Sequence, residues 1–133
     1  MKNETRFDPD AELIVVNATI RGPRGSAVVR LAIDTGSAAT VIVPDVLDEI
    51  GYSARDGTAR TSVTTAVGKE HGFLLKVAEF EALGFTLTGF PVNVFELANR
   101  YGIEGLIGLN FLERFNYEIR SGEGRILVEK IAP

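Results

Sequence analysis

The feature of this sequence that most restricts its fold is a series of short β-branched and apolar runs separated by turn residues. Residues 12–20 and 26–33 read ELIVVNATI and SAVVRLAI, with a turn at 22–25 between them. This pattern predicts two strands joined as a hairpin. Further strand-like runs lie at 40–43, 61–66, 70–80, 85–95, 105–108, 117–119 and 125–131. Closely spaced strands with so little helix indicate an all-β barrel or sandwich.

Two segments predict short helices. Residues 44–50 read PDVLDEI, with proline at a helix start and acids in the first turn, and Gly51 ends the pattern. Residues 109–115 predict one or two helical turns. The first residues are polar and charged, so we expect a flexible N-terminal arm over 1–11 and a single domain over 12–133. A chain of 133 residues is long enough for one domain with its own core.

Composition excludes several classes of function. The chain has no cysteine, which excludes disulfides, thiol nucleophiles and zinc–thiolate sites. Its single histidine, His71, excludes a multi-histidine metal cage within one chain and is expected to be an exposed strand residue. The acidic side chains lack the spacing of a metal-binding loop, so we expect no metal.

Charge and hydropathy limit the partners. The net charge of −4 and the pI of about 5.0 give no reason to expect a nucleic-acid partner. No apolar stretch approaches the ~20 residues that span a bilayer, so we expect no membrane insertion. The start of the chain lacks a signal-peptide pattern, and a cytoplasmic location is the expectation.

One short segment carries recognisable chemistry. Residues 31–37 read LAIDTGS, so Asp34 directly follows an apolar strand and Thr35-Gly36 turns the chain. This arrangement places a carboxylate at the end of a buried strand. Gly36 has no side chain and lets another backbone approach closely. By itself the segment is equally typical of an ordinary turn, because Asp and Gly are common turn residues.

A second segment, GLIGLNFL at 105–112, has two apolar residues and a glycine followed by an apolar helical turn. Between the two segments lies a hairpin pattern, TSVTTAVGKEHGFLLKV. With LAIDTGSAATVIV, these parts make the chain resemble the retropepsin-like aspartic proteases over residues 12–131. The single-domain size and the Gly-Leu-Asn-Phe-Leu variant are closer to the bacterial and cellular members than to the viral ones.

The resemblance implies a closed acid-protease barrel that is homodimeric, and an aspartic endopeptidase without a cofactor. One such acid per chain implies a two-fold homodimer in which the Asp34 residues of two chains activate a water between them. The catalytic residues implied are Asp34, Thr35 and Gly36. The substrate would be an extended peptide, with apolar residues flanking the cut.

The remaining site residues are also implied by the resemblance. Those expected to bind substrate are Ser37, Ala38, Leu106, Ile107 and the flap tip Thr65, Ala66, Val67 and Gly68. Gly108 and Asn110 are expected to support the site. The chain departs from the viral pattern where it has Ala38 and Ala39 in place of acids and Leu109 in place of arginine, so viral-like specificity is not expected.

Other interpretations stay open at this level. The leading alternative is a catalytically silent dimerisation or peptide-binding module on the same fold; the intact Asp-Thr-Gly argues against it, although an acid can also be kept for structural reasons. An unrelated small β-barrel that binds a ligand is a second alternative. A third is a protease domain that belongs to a larger regulatory or membrane protein.

Overall fold

The computed structural model describes residues 2–65, 68–97 and 101–132, with the backbone alone described at 63–65 and 68–70. The strands are β1 (Lys2–Arg6), β2 (Val15–Gly22), β3 (Gly25–Ile33), β4 (Val41–Ile42), β5 (Ala59–Thr65), β6 (Gly68–Ala82), β7 (Phe85–Val94), β8 (Gly105–Ile107), β9 (Phe115–Arg120) and β10 (Arg125–Lys130). Two short helices are α1 (Pro44–Glu49) and α2 (Leu109–Leu112), and 3₁₀ turns lie at Ala54–Asp56 and Ser121–Glu123.

Six of these strands close into a barrel. They are hydrogen-bonded in the order β2-β3-β8-β4-β7-β6, and a further pairing between β2 and β6 completes the circle. Strand β5 pairs with residues 68–74 of β6, before the stretch of β6 that pairs with β2, and lies outside this circle. The predicted all-β closed barrel with two short helices is thereby confirmed, as is the β2–β3 hairpin, whose register runs from Val15 opposite Ala32 to Gly22 opposite Gly25.

The core of the barrel is aliphatic with an aromatic centre. Phe80, Phe90 and Phe111 are fully buried, and their ring centroids lie 4.9 to 5.9 Å apart. Such tilted and edge-on pairs add about 0.5–1.5 kcal/mol each beyond the burial of their area. Phe111 belongs to α2, so the late helical turn is anchored in the core by its own side chain.

Strand β8 is central because it pairs on both edges. It lies parallel to β3, with Ile33 opposite Ile107, and antiparallel to β4, with Val41 opposite Leu106. A Cβ on Gly105 would lie 2.1 Å from the backbone oxygen of Val41, so only glycine permits this spacing. The end of β3 is therefore fixed by a strand that comes much later in the chain.

The structure differs from the prediction at the N-terminus. Residues 2–6, placed in a flexible arm, form β1, which pairs with β10 in a three-stranded sheet of order β1-β10-β9. The sequence of β1, KNETR, has no alternation of apolar and polar residues. The strand is stabilised instead by backbone pairing with β10 and by an ion pair. The guanidinium of Arg125 on β10 donates to the carboxylate of Glu4 at 2.8 Å.

The same guanidinium continues an ion-pair network along this sheet. Arg125 also contacts Glu123 at 2.8 Å, and Glu123 accepts a second hydrogen bond from Arg120. Hydrogen bonds from Arg120 and Arg125 lower the pKa of Glu123, and the hydrogen bond from Arg125 lowers the pKa of Glu4. Both carboxylates are thus held in the charged form by their arginine partners.

Two negative findings concern the described part of the chain. It contains no helix of the length and apolar character needed to cross a membrane. Its His, Asp and Glu side chains form no group of three or more that is placed to bind a metal ion.

Candidate active site

The carboxylate of Asp34 lies at the end of β3. The Asp34 N–H donates to the carbonyl of Ile107 at 2.9 Å, which extends the β3–β8 pairing one residue beyond the strand. Its Oδ1 accepts the N–H of Gly36 at 2.9 Å, and its carbonyl accepts the N–H of Ser37 at 3.2 Å. Asp34 is half-buried. The Asp-Thr-Gly turn therefore orients the carboxylate and leaves it accessible from one side.

The segment after this turn packs against the start of α2. Leu109 N–H donates to the Ser37 carbonyl at 2.8 Å, and Asn110 N–H donates to the Ala38 carbonyl at 3.0 Å. A Cβ on Gly108 would lie 2.1 Å from the backbone oxygen of Ala39. Since real Cβ atoms do not approach so closely, glycine is required at this position. The two segments singled out from the sequence thus meet directly.

A buried threonine holds this contact together. Thr40 is fully buried, and its hydroxyl accepts the N–H of Gly108 at 3.1 Å and donates to Oδ1 of Asn110 at 2.7 Å. The Asn110 amide in turn donates to the Pro91 carbonyl on β7 at 3.0 Å. Three segments of the site are therefore linked through side-chain hydrogen bonds inside the protein, where such networks confer rigidity when fully satisfied.

Thr40 is a supporting residue that sequence analysis missed. In the run TVIV it reads as one more β-branched strand residue. A hydroxyl within an apolar run was the available signal, because a buried hydroxyl needs a partner.

The structure brings most of the predicted site residues together. Asp34, Thr35, Gly36, Ser37 and Ala38 form one continuous loop beside Leu106, Ile107, Gly108 and Asn110. Thr35 is exposed, and the Ser37 hydroxyl donates to the Ala39 carbonyl at 2.7 Å rather than to Asp34. His71 is exposed, as expected.

Leu106 and Ile107 differ in their surroundings. Leu106 is half-buried, whereas the side chain of Ile107 is fully buried in the barrel core. Ile107 contributes its backbone carbonyl to the Asp34 turn, so its described contact with the site is through the backbone.

The predicted flap falls on the β5–β6 hairpin. Thr65 of β5 and Gly68 of β6 pair opposite one another at the end of this hairpin. Ala66 and Val67, the other two residues of the predicted tip, lie outside the described residues. The hairpin itself is present where the sequence pattern places it.

A barrel with an Asp-Thr-Gly turn at the end of one strand and a glycine-led helical turn packed against it defines the class of the aspartic proteases. The family model described as aspartyl protease matches residues 16–111, and the chain belongs to this family. The match includes both the Asp34 turn and the Gly108 contact. A search of curated proteins found no match to the sequence.

Solved structures show the same fold at low sequence identity. A retropepsin-like aspartic protease from Rickettsia conorii superposes with a TM-score of 0.70 at 16% identity, covering 97% of this chain and 98% of that one. The retroviral protease-like domain of Ddi1 from Leishmania major gives 0.60 at 16% identity, covering 92% and 97%. The EIAV protease, in complex with the inhibitor HBY-793, gives 0.59 at 14% identity, covering 78% and 88%. The fold is therefore that of the retropepsin-like aspartic proteases.

Proposed function

We propose that this protein is an aspartic endopeptidase that is active as a two-fold homodimer. The observation that carries the proposal is the half-buried Asp34 carboxylate, oriented by the Gly36 N–H within the motif of its family. The described site contains one such carboxylate per chain. The chemistry of the family needs two, and a second copy of the chain supplies the other.

The mechanism follows from two carboxyl groups that share one proton. Like charges about 3 Å apart cannot both ionise, so the Asp34 pair holds a single negative charge. The ionised member takes a proton from a water, and the oxygen of that water attacks the scissile carbonyl. The protonated member donates its proton to the carbonyl oxygen. Collapse of the resulting gem-diol breaks the C–N bond. The amine leaves with a proton from the dyad, and one hydroxyl of the gem-diol returns a proton to the dyad, which restores the shared-proton state.

Other residues of the loop have supporting roles in this proposal. Exposed Thr35 contacts the partner subunit near the two acids and braces them. Gly36 lies beside the substrate backbone, since it presents no side chain there. In this proposal the β5–β6 hairpin, whose described pairing ends with Thr65 opposite Gly68, covers a peptide bound in extended form.

The first experiment compares the wild-type protein with Asp34→Asn on a degenerate peptide library at mildly acidic and neutral pH. Cut sites are mapped by mass spectrometry. Asn keeps the size of Asp and does not take part in a shared-proton dyad, so we expect cleavage by the wild type to disappear in the variant. Asp48→Asn, on the exposed side of α1, is the matched control and retains cleavage.

A mixing experiment tests the homodimer separately. When equal amounts of wild-type and Asp34→Asn chains are allowed to exchange, random pairing leaves about one quarter of the dimers with two intact acids. Activity should fall to that fraction of the undiluted wild type, whereas independent active subunits would retain about one half. A folded, dimeric wild-type protein that cleaves no peptide would contradict the proposal and favour a silent peptide-binding module on the same fold.

A further inference from the structure

Four neighbouring strands of the barrel carry half-buried side chains on the face opposite the core. Successive strand residues point to opposite faces of a sheet. Ile42, Ile107, Leu75 and Val92 are buried in the core at 0 to 1% exposure. The residues next to them along the four strands therefore point away from the core, and each is half-buried. They are Leu106 on β8, Val41 on β4, Asn93 on β7 and Leu74 on β6.

The strand register aligns these four side chains in a single row. Leu106 lies opposite Val41, Val41 is in register with Asn93, and Asn93 lies opposite Leu74. Adjacent members are therefore about 5 Å apart across the sheet. We call this set the cleft row.

The cleft row starts beside the catalytic carboxylate. On β3, Ala32 is in register with Leu106, and Asp34 follows two residues later on the same face. Asn93 is two strands away from Leu106, roughly 10 Å along the row by strand spacing. A peptide side chain one or two positions from the scissile bond reaches that distance.

Asn93 is the polar member of the row, and its side chain is incompletely bonded. Its Oδ1 is buried and has no hydrogen-bond partner in the described part of the chain. The backbone of Asn93 is satisfied, because its N–H donates to the Thr40 carbonyl at 2.8 Å. An unpaired buried acceptor lowers stability. Asn93 as a whole is half-buried and lies on the same face as Asp34, so rotation of its side chain turns Oδ1 toward that face, where a donor group of a ligand would satisfy it.

We propose that Asn93 determines substrate specificity by accepting a hydrogen bond from a neutral donor side chain of the peptide, namely glutamine, asparagine or threonine. This inference rests on the proposed peptidase function. Leu106, Val41 and Leu74 contact the aliphatic part of that side chain. A leucine in the same place leaves Oδ1 unpaired, and a glutamate places its negative oxygens against the amide oxygen.

The test uses matched peptides built on the best substrate from the library. At each position flanking the cut, glutamine, leucine and glutamate are compared by kcat/KM. The wild type should prefer glutamine over leucine by about tenfold at one position, the magnitude of one net hydrogen bond. Asn93→Leu should abolish or reverse that preference at that position and leave the others unchanged.

Two measurements separate this effect from a loss of folding. Asn93→Leu removes an unpaired buried group, so its Tm should equal or exceed that of the wild type. Thr88→Val, at an exposed position on the same strand, is the matched control and should keep the wild-type preference. An unchanged glutamine-to-leucine ratio in Asn93→Leu, or a wild-type preference for glutamate, would overturn the inference.

A binding readout separates the inference from the proposed function. The glutamine, leucine and glutamate peptides are titrated by fluorescence anisotropy against Asp34→Asn, with and without Asn93→Leu. Where the wild type cleaves no library peptide, they are built on the library peptide that Asp34→Asn binds most tightly. If the protein binds the glutamine peptide selectively, this selectivity needs Asn93, and the wild type cleaves no peptide, the proposed peptidase activity is overturned and the role of Asn93 in specificity is supported. Absence of both binding and cleavage would overturn both.

Discussion

Replacement of Thr40 by valine tests whether its buried hydroxyl holds the site together. Valine keeps the shape of threonine and removes the hydroxyl, which leaves the Gly108 N–H and the Asn110 Oδ1 without their described partner. Each buried group left unpaired costs about 1–3 kcal/mol, so the variant should lose about 2–6 kcal/mol of unfolding free energy. At roughly 3–5 °C per kcal/mol for a domain of this size, the Tm should fall by about 6–30 °C.

Thr40→Ser is the matched control, because it keeps the hydroxyl and loses one methyl group, worth about 1 kcal/mol. Urea unfolding at one fixed protein concentration gives the stability order wild type, then Thr40→Ser, then Thr40→Val, with equal m-values. Peptide cleavage should follow the same order. A Thr40→Val protein as stable as Thr40→Ser would refute the argument that the hydrogen bonds, rather than the packing, fix this loop.

Two further predictions concern the loop contact and the terminal sheet. Gly108→Ala should abolish soluble folded protein or cleavage, because its Cβ would lie 2.1 Å from a backbone oxygen, whereas Gly122→Ala, with open space around the Cβ, should behave as the wild type in circular dichroism and activity. Arg125→Gln should make stability fall less steeply with decreasing pH. The two partners of Arg125, Glu4 and Glu123, have a lowered pKa in the folded state. The stability that they contribute is therefore present above about pH 4.5 and is lost as the pH falls through their folded-state pKa values. Thermal melts between pH 2 and 7 measure the slope, and an acid limb equally steep in both proteins would contradict the role of Arg125.

Most of the barrel was predictable because its strands carry local signals. The β2–β3 hairpin has β-branched residues on both sides of a glycine-containing turn, and helix α1 begins with a proline. Both signals can be read from the local sequence. Strand β1 has no such signal, because both of its faces are polar and its sequence therefore lacks the alternation of apolar and polar residues that predicts a strand. Its pairing depends on Arg125, far away in the sequence, and such a partner is not visible in a local window.

The site was predictable in its motif and not in its surroundings. Asp34 and Gly108 stand out because they lie in the two segments, LAIDTGS and GLIGLNFL, that carry the family resemblance. Thr40 and Asn93 are compatible with ordinary strand positions, and their importance arises only from what lies opposite them. The closure of β2 onto β6 is likewise a tertiary event that local propensity does not encode.

The parallel pairing of β3 with β8 has a consequence for biosynthesis. A chain emerging from the ribosome exposes Asp34 and its turn well before residues 105–110 have been made. Until they appear, the turn lacks the Ile107 carbonyl, the Gly108 contact and the Asn110 amide that position it. Non-local contacts of this kind form late in folding. A nascent chain therefore carries the Asp34 carboxylate without the contacts that orient its turn until residues 105–110 have been made.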